Sequence, residues 1–237
     1  MRTTGLHQLG QMKFDRLPFE GDWRKTIGNP TKNFSALLYG NSGNGKTTAI
    51  ILFLKYVCSF GLKACYISHE EGISGTMQDA FNKHDMIAEK SGQIILAEDT
   101  TFEETLEYFS KRGSPEVVVI DSIDYCNLTV EQYKLLRKTL KRKIIILIAW
   151  SQGRSPKTQA AKDIEYMVDV KLFVRNFMIW PKSRFGGNEP FVIWEQRARL
   201  LEQKYFMEKD KQERLTLFNG LKPAEKVAEG GGVDANG

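Results

Sequence analysis

Residues 40–47 read Gly-Asn-Ser-Gly-Asn-Gly-Lys-Thr and fit the pattern G-x-x-x-x-G-K-[ST]. This spacing serves triphosphate chemistry. Gly40, Gly43 and Gly45 let consecutive backbone N–H groups turn inward around phosphate oxygens, and a helix opening near Lys46 aims the positive end of its dipole at them. Lys46 then reaches the β- and γ-phosphates, and Thr47 offers its hydroxyl to Mg²⁺. Asn41, Ser42, Asn44 and Thr48 complete the candidate phosphate-contacting set. A glycine-rich turn opening an ordinary helix is the plainer alternative. The position of the motif, between a β-type apolar run and an apolar helical run, favours the phosphate loop.

Magnesium in such a site needs a carboxylate at the carboxyl end of a neighbouring strand. Val117-Val118-Val119-Ile120-Asp121 supplies one, and Asp121 is assigned that role. Asp124 competes, but it falls beyond the run, where a turn cap or solvated residue is the simpler reading. Tyr66-Ile67-Ser68-His69-Glu70-Glu71 brings two more carboxylates to the same edge. Glu70 or Glu71 could polarise an attacking water; a solvated acidic loop is the alternative. Further on, Lys182 and Arg184 stand two apart in an extended run and so share one face, placed either to meet an anion or to guard a sheet edge. His69 and His84 have no His or Cys at ligand spacing and read as loop or surface positions.

Positioning these groups requires a parallel sheet. From residue 35 onward, short β-rich runs alternate with amphipathic stretches, the pattern of parallel strands with crossover helices. Strands are expected at 35–39, 64–68, 93–97, 116–121, 143–151 and 168–175, and helices at 46–60, 75–86, 101–112, 129–142 and 158–167. Thr101 with Glu104, and Thr129 with Gln132, are spaced as capping boxes. Two further runs, 177–184 and 191–195, joined by Gly186-Gly187-Asn188, read as an antiparallel hairpin. The expected division is an N-terminal extension packing on the core (1–34), the core (35–196), a C-terminal helix (197–218) and a Gly-, Lys- and Glu-rich disordered tail (219–237).

Composition narrows the class. Hydrophobic residues make up 41% and charged residues 27%, which excludes a collagen-like, mostly disordered or membrane-embedded chain. The longest apolar run, 144–150, is too short to cross a bilayer, and the first 14 residues lack a secretory signal, so a cytoplasmic protein is expected. Cys58, Cys65 and Cys126 are odd in number and scattered, and read as reduced, mostly buried thiols. A net charge of +5 and pI near 9.0 permit a polyanionic partner without requiring one.

Several segments resemble RecA-like ATPases, the RadA/Sms type foremost, with DnaB-type helicase and KaiC-like domains nearby. Ser68-His69-Glu70-Glu71 is similar to the Ser-x-Glu-Glu of the RadA/Sms and KaiC-like groups, and Asp121-Ser122-Ile123 to the Asp-Ser-Ile of RadA. Glu165-Tyr166-Met167-Val168-Asp169 is similar to its Glu-His-Met-Val-Asp, and Lys182-Ser183-Arg184-Phe185-Gly186 to its Lys-Asn-Arg-Phe-Gly. The likeness covers roughly residues 35–195. It implies an α/β RecA-like P-loop NTPase fold, a mostly parallel twisted sheet flanked by helices with a C-terminal antiparallel β-hairpin. It also implies Mg²⁺-dependent ATP hydrolysis with Glu70 or Glu71 acting on water, and a γ-phosphate sensor at Gln152 or, one residue away, Ser151. Lys182 and Arg184 would act on the γ-phosphate of an adjacent subunit, which implies a homo-oligomer, read as a hexameric ring.

RecA-type assemblies bind single-stranded DNA through two loops facing the central axis. The second loop here, 153–162, is polar and basic and is expected to be unpacked, with Arg154, Lys157 and Lys162 on phosphates; incidental surface charge is the alternative. The first, 125–128, is shorter than the family's. The cations Lys134, Arg137, Lys138, Lys141, Arg142 and Lys143 read as residues favoured by a helix C-terminus. The chain has no room for the zinc module or protease-like domain of RadA, as expected of a minimal core from a phage or mobile element. The expected activity is an ATP-driven motor on single-stranded DNA in recombination, repair or replication, with a possible protein partner from those processes. A KaiC-like switch controlling a protein partner is the alternative, and a small-molecule phosphotransferase fits less well.

Overall fold

The computed structural model describes residues 3–220. Contacts divide the chain into two units, Met1–Ala198 and Arg199–Gly237. The first opens with two short helices, α1 (Leu6–Gln11) and α2 (Gly21–Ile27), and then alternates. Strand β1 (Ser35–Gly40) leads into α3 (Lys46–Cys58), β2 (Ala64–Ser68), α4 (Gly75–Asn82), α5 (Met86–Lys90), β3 (Ile94–Glu98), α6 (Phe102–Ser110) and β4 (Val117–Asp121). After these come α7 (Val130–Thr139), β5 (Ile144–Gln152), β6 (Ser155–Pro156), α8 (Gln159–Met167), β7 (Val170–Arg175), β8 (Met178–Ser183), β9 (Phe191–Val192) and α9 (Glu195–Leu201).

The sheet runs β3-β2-β4-β5-β1-β7-β8-β9, with β6 on the end of β5. Strands β1 to β5 and β7 are parallel; β8 runs antiparallel to β7 and β9 to β8. This is the fold class that the sequence predicts. The central strands are buried on both faces, which explains why Val117–Ile120 and Ile144–Ala149 are unbroken apolar runs rather than alternating ones. One face packs α2 to α5, and the other α6 to α8, each through its own apolar cluster. Both predicted capping boxes form: Thr101 and Thr129 each accept the backbone N–H three residues on, and Glu104 and Gln132 accept in return from the cap backbone.

Three expectations need correction. First, β4 is not the neighbour of β1, because β5 lies between them and pairs with both. Second, the expected hairpin forms antiparallel, as β8 with β9, but through a wide loop rather than a tight turn at Gly186-Gly187-Asn188. Strand β9 pairs only with Met178 and Ile179 at the start of β8, whereas all of β8, those two residues included, pairs with β7 across a two-residue turn, Asn176-Phe177. Both turn residues are left-handed, at φ +52° and +58°, the geometry that matches the strands' own twist. Third, the stretch after β5 is packed only in part, since residues 152–155 and Lys157 are exposed as expected. It folds back as β6 with Pro156 buried, and Thr158 caps α8, whose Ala161 is buried.

In the N-terminal segment, Leu17, Phe19, Trp23 and Ile27 join the cluster beneath α3. Trp23 stacks on Phe191 at 4.2 Å, and the Tyr56 hydroxyl accepts from the Glu20 backbone N–H at 2.6 Å. Helix α1 buries no residue. In the second unit, Arg199 pairs at 3.1 Å with Asp210 of α10 (Gln203–Gly220). Where a single helix is predicted over 197–218, two form, and residues 221–237 of the predicted tail lie outside the described residues.

Candidate nucleotide site

Strand β1 ends at Gly40, and the loop turns into α3 through Gly43 and Gly45, at φ +74° and +96°. Gly40 is required for a different reason from those two. A Cβ there would run into the carbonyl of Val174 on β7, so it is close approach rather than backbone freedom that selects glycine. Lys46 folds back over the loop, donating to the Gly40 and Asn41 carbonyls at 3.0 and 3.2 Å. Burial lowers its pKa, against the opposing pull of Asp121, Glu70 and Asp124. Thr47 and Thr48 follow in the first turn of α3, half-buried.

Asp121 closes β4 on the face that packs α3, in step with Val117 and Val119. Its carboxylate accepts a short hydrogen bond from the Tyr66 hydroxyl. Burial, reinforced by Glu70 and Glu71, pushes its pKa up to about 6 even though Tyr66 and Lys46 pull the other way. Level with Asp121 in the β2–β4 register stands Ser68, whose buried hydroxyl has no hydrogen-bond partner among the described residues. A crowded carboxylate beside an orphaned hydroxyl, both at the phosphate edge, fits a hard cation with oxygen and water ligands. Among the described residues no group of three His, Cys, Asp or Glu could hold a metal by protein ligands alone, consistent with an ion shared with phosphates. Ser68 has no assigned role in the sequence reading, although it stands inside the quoted Ser-x-Glu-Glu.

The two glutamates part company. Glu70 accepts from the Trp150 indole N–H at 2.8 Å and acts on Lys46 electrostatically. Glu71 turns to the start of α4, accepting from Ser74 at 2.8 Å and from Thr76 in a short hydrogen bond. A similar separation holds at the end of β5. The Ser151 hydroxyl donates to Asn41 Oδ1 in the loop at 2.8 Å, whereas Gln152 is exposed and pairs with Ser155 in the β5–β6 turn. Asp124 accepts from the Trp150 backbone N–H and the Thr158 hydroxyl, both at 2.6 Å, and so braces β5 against the cap of α8.

Arg154 is exposed at the tip of that turn, the Lys157 ammonium lies 5.0 Å over the Trp150 ring, and Lys162 is half-buried on α8. Lys182 and Arg184 are exposed at the far end of β8. Because β8 begins beside the phosphate loop and runs away from it, roughly 15 Å of strand separates these cations from it. Lys182 stands directly opposite Lys171, a like-charge pairing that costs stability in an isolated sheet. Arg184 lies 3.8 Å from Asp169, which also holds Arg137 and the Ser35 N–H. The segment around them is clamped by α2: Ser183 donates to the Ile27 carbonyl and Asn188 to that of Thr26. The acids of the Glu165–Asp169 motif are anchors of β1, Glu165 accepting from Tyr39 and Asp169 from Ser35.

No family model matches the chain. A curated DNA repair protein RadA from Chlamydia trachomatis is 23% identical over 192 residues, which take in 72% of this chain and 41% of that protein. The chain thus matches less than half the length of that relative. Among solved structures, the flagellar accessory protein FlaH from Methanocaldococcus jannaschii superposes with a TM-score of 0.58 at 14% identity, covering 76% of this chain and 95% of that one. A KaiC-like protein from Pyrococcus horikoshii gives 0.53 at 18% identity, covering 73% and 88%. With strand β5 inserted between the phosphate strand and the Asp121 strand, and these neighbours in fold, the chain has a RecA-like α/β fold that carries a phosphate-loop sequence.

Proposed function

We propose that the chain is a Mg²⁺-dependent ATPase that works as a ring-forming homo-oligomer on single-stranded DNA. The observation that carries this reading is the split of its charged groups between two edges of one sheet. Lys46, Thr47, Asp121 and Glu70 gather at one edge, while Lys182 and Arg184 stand at the other, out of reach of their own loop. Thr47 and Asp121 would hold Mg²⁺, which would neutralise charge on the β- and γ-phosphates. Lys46 and the loop N–H groups would bind the phosphates, and Ser151, hydrogen-bonded to Asn41, would sense them. Glu70, rather than Glu71, is the carboxylate that acts electrostatically on Lys46, and it is assigned to polarise water. Lys182 and Arg184 would stabilise transition-state charge on a neighbour's γ-phosphate.

Mixing tests the neighbour contact. Lys46→Ala and Arg184→Ala are each expected to lose most turnover, and equimolar mixtures to regain part of it, since some interfaces then pair an intact loop with an intact cation. Absence of rescue at every ratio refutes trans action.

A second reading, an ATP-dependent switch acting on a protein partner, has specific support in the FlaH and KaiC-like neighbours. The two readings separate on ATP turnover measured with and without oligonucleotide across a salt series. The motor reading expects stimulation that salt abolishes; indifference to DNA favours the switch.

A further inference from the structure

Away from the nucleotide edge, where β1 and β5 begin, a cleft of about 570 Å³ opens at the opposite end of the sheet. Four cations line it, Lys13, Lys32, Lys141 and Arg142, against one carboxylate, Asp15. All four are exposed, and none has an ion-pair partner among the described residues. That sets Lys141 and Arg142 apart from two other cations of their own basic run. Arg137 is held by Asp169 and the Asn33 carbonyl, and Lys143 by Ser114 and the Pro115 carbonyl. A helix C-terminus accounts for Lys141 and Arg142, which follow α7. It does not account for Lys13 and Lys32, which arrive from separate segments of the N-terminal region.

Phe14, also in the lining, is 57% exposed, an unusual position for an aromatic ring with a core available. Unpartnered cations around an exposed ring are the combination that binds a nucleic acid strand: the cations track phosphates, and the ring stacks on a base that a duplex would keep hidden. A metabolite phosphate would need fewer charges and no open ring, and a protein surface would need acidic groups rather than a stacking partner.

We infer that this cleft is a binding site for single-stranded nucleic acid, separate from the β5–β6 turn and independent of ATP hydrolysis. The test uses the full chain and fluorescein-labelled oligothymidylate, with anisotropy followed across a salt series. The triple variant Lys32→Glu/Lys141→Glu/Arg142→Glu is expected to weaken binding tenfold or more and to flatten the salt slope by about 2, on the order of 0.7 per lost phosphate contact. Phe14→Ala is expected to weaken it about fivefold with the slope unchanged. Basal ATPase should be unaffected in both.

Unchanged affinity in both variants overturns the inference. So does loss confined to Arg154→Ala/Lys157→Ala, an outcome that leaves the proposed function standing. Duplex DNA bound as tightly as the single strand, with Phe14→Ala silent, overturns the assignment of a single strand. A drop in particle mass without a drop in affinity makes the cleft a subunit contact instead.

Discussion

Asp121 illustrates how one carboxylate can cost stability and still be kept. Its pKa stands near 6 in the folded chain against 3.8 ordinarily. Between those values the folded state binds more protons than the unfolded one, so its contribution is complete below about pH 4 and is lost as pH rises through 6. Asp121→Asn should therefore stabilise the metal-free protein by about 2 kcal/mol at pH 7.5 and by almost nothing at pH 4. Urea unfolding at the two pH values reads this directly, and an equal effect at both would remove the burial argument. The glutamates make a second residue-scale comparison. Glu70→Gln should lower ATP turnover by a hundredfold or more while sparing nucleotide affinity. Glu71→Gln should leave turnover within a few-fold of normal and loosen the start of α4, where Glu71 accepts from Ser74. The reverse ranking in steady-state kinetics would exchange their roles.

At the scale of elements, local signals carried far and non-local ones did not. Thr129 and Gln132 announce the start of α7 within four residues, and the box forms. Thr129→Ala should lower the midpoint of thermal unfolding by the equivalent of about 1 kcal/mol and leave ATP binding intact, because α7 lies on the face away from the phosphate loop. Asp121, at the end of four buried aliphatic residues, was equally legible. The Asn176-Phe177 turn was not, because a left-handed Phe has no sequence signature and is held only by its surroundings. Phe177 rests beside Gly45 and edge-on to Trp194, so the contacts that select its conformation come from distant parts of the chain. Insertion of β5 between β1 and β4 escaped for the same reason, since strand order is a property of the sheet and not of any strand. That Ser151 rather than Gln152 meets the loop turned on a one-residue difference at the end of β5, below what periodicity resolves.

For the whole molecule, particle mass in solution is the measurement that weighs the assembly. With ATP and oligonucleotide, light scattering should give a multiple of 27.1 kDa, and a monomer that turns over ATP at full rate would leave Lys182 and Arg184 without a role. The β7–β8 ribbon gives such an assembly a further property. Its turn touches the loop, where Asn44 accepts from the Asn176 N–H at 2.8 Å, and its other end carries Lys182. Six consecutive paired residues make it a stiff beam. A shift of the loop as a ligand arrives would be transmitted along that beam to the cations presented next door. Occupancy in one protomer would then set the firing competence of the following one, and turnover around a closed circle would proceed in order rather than at random.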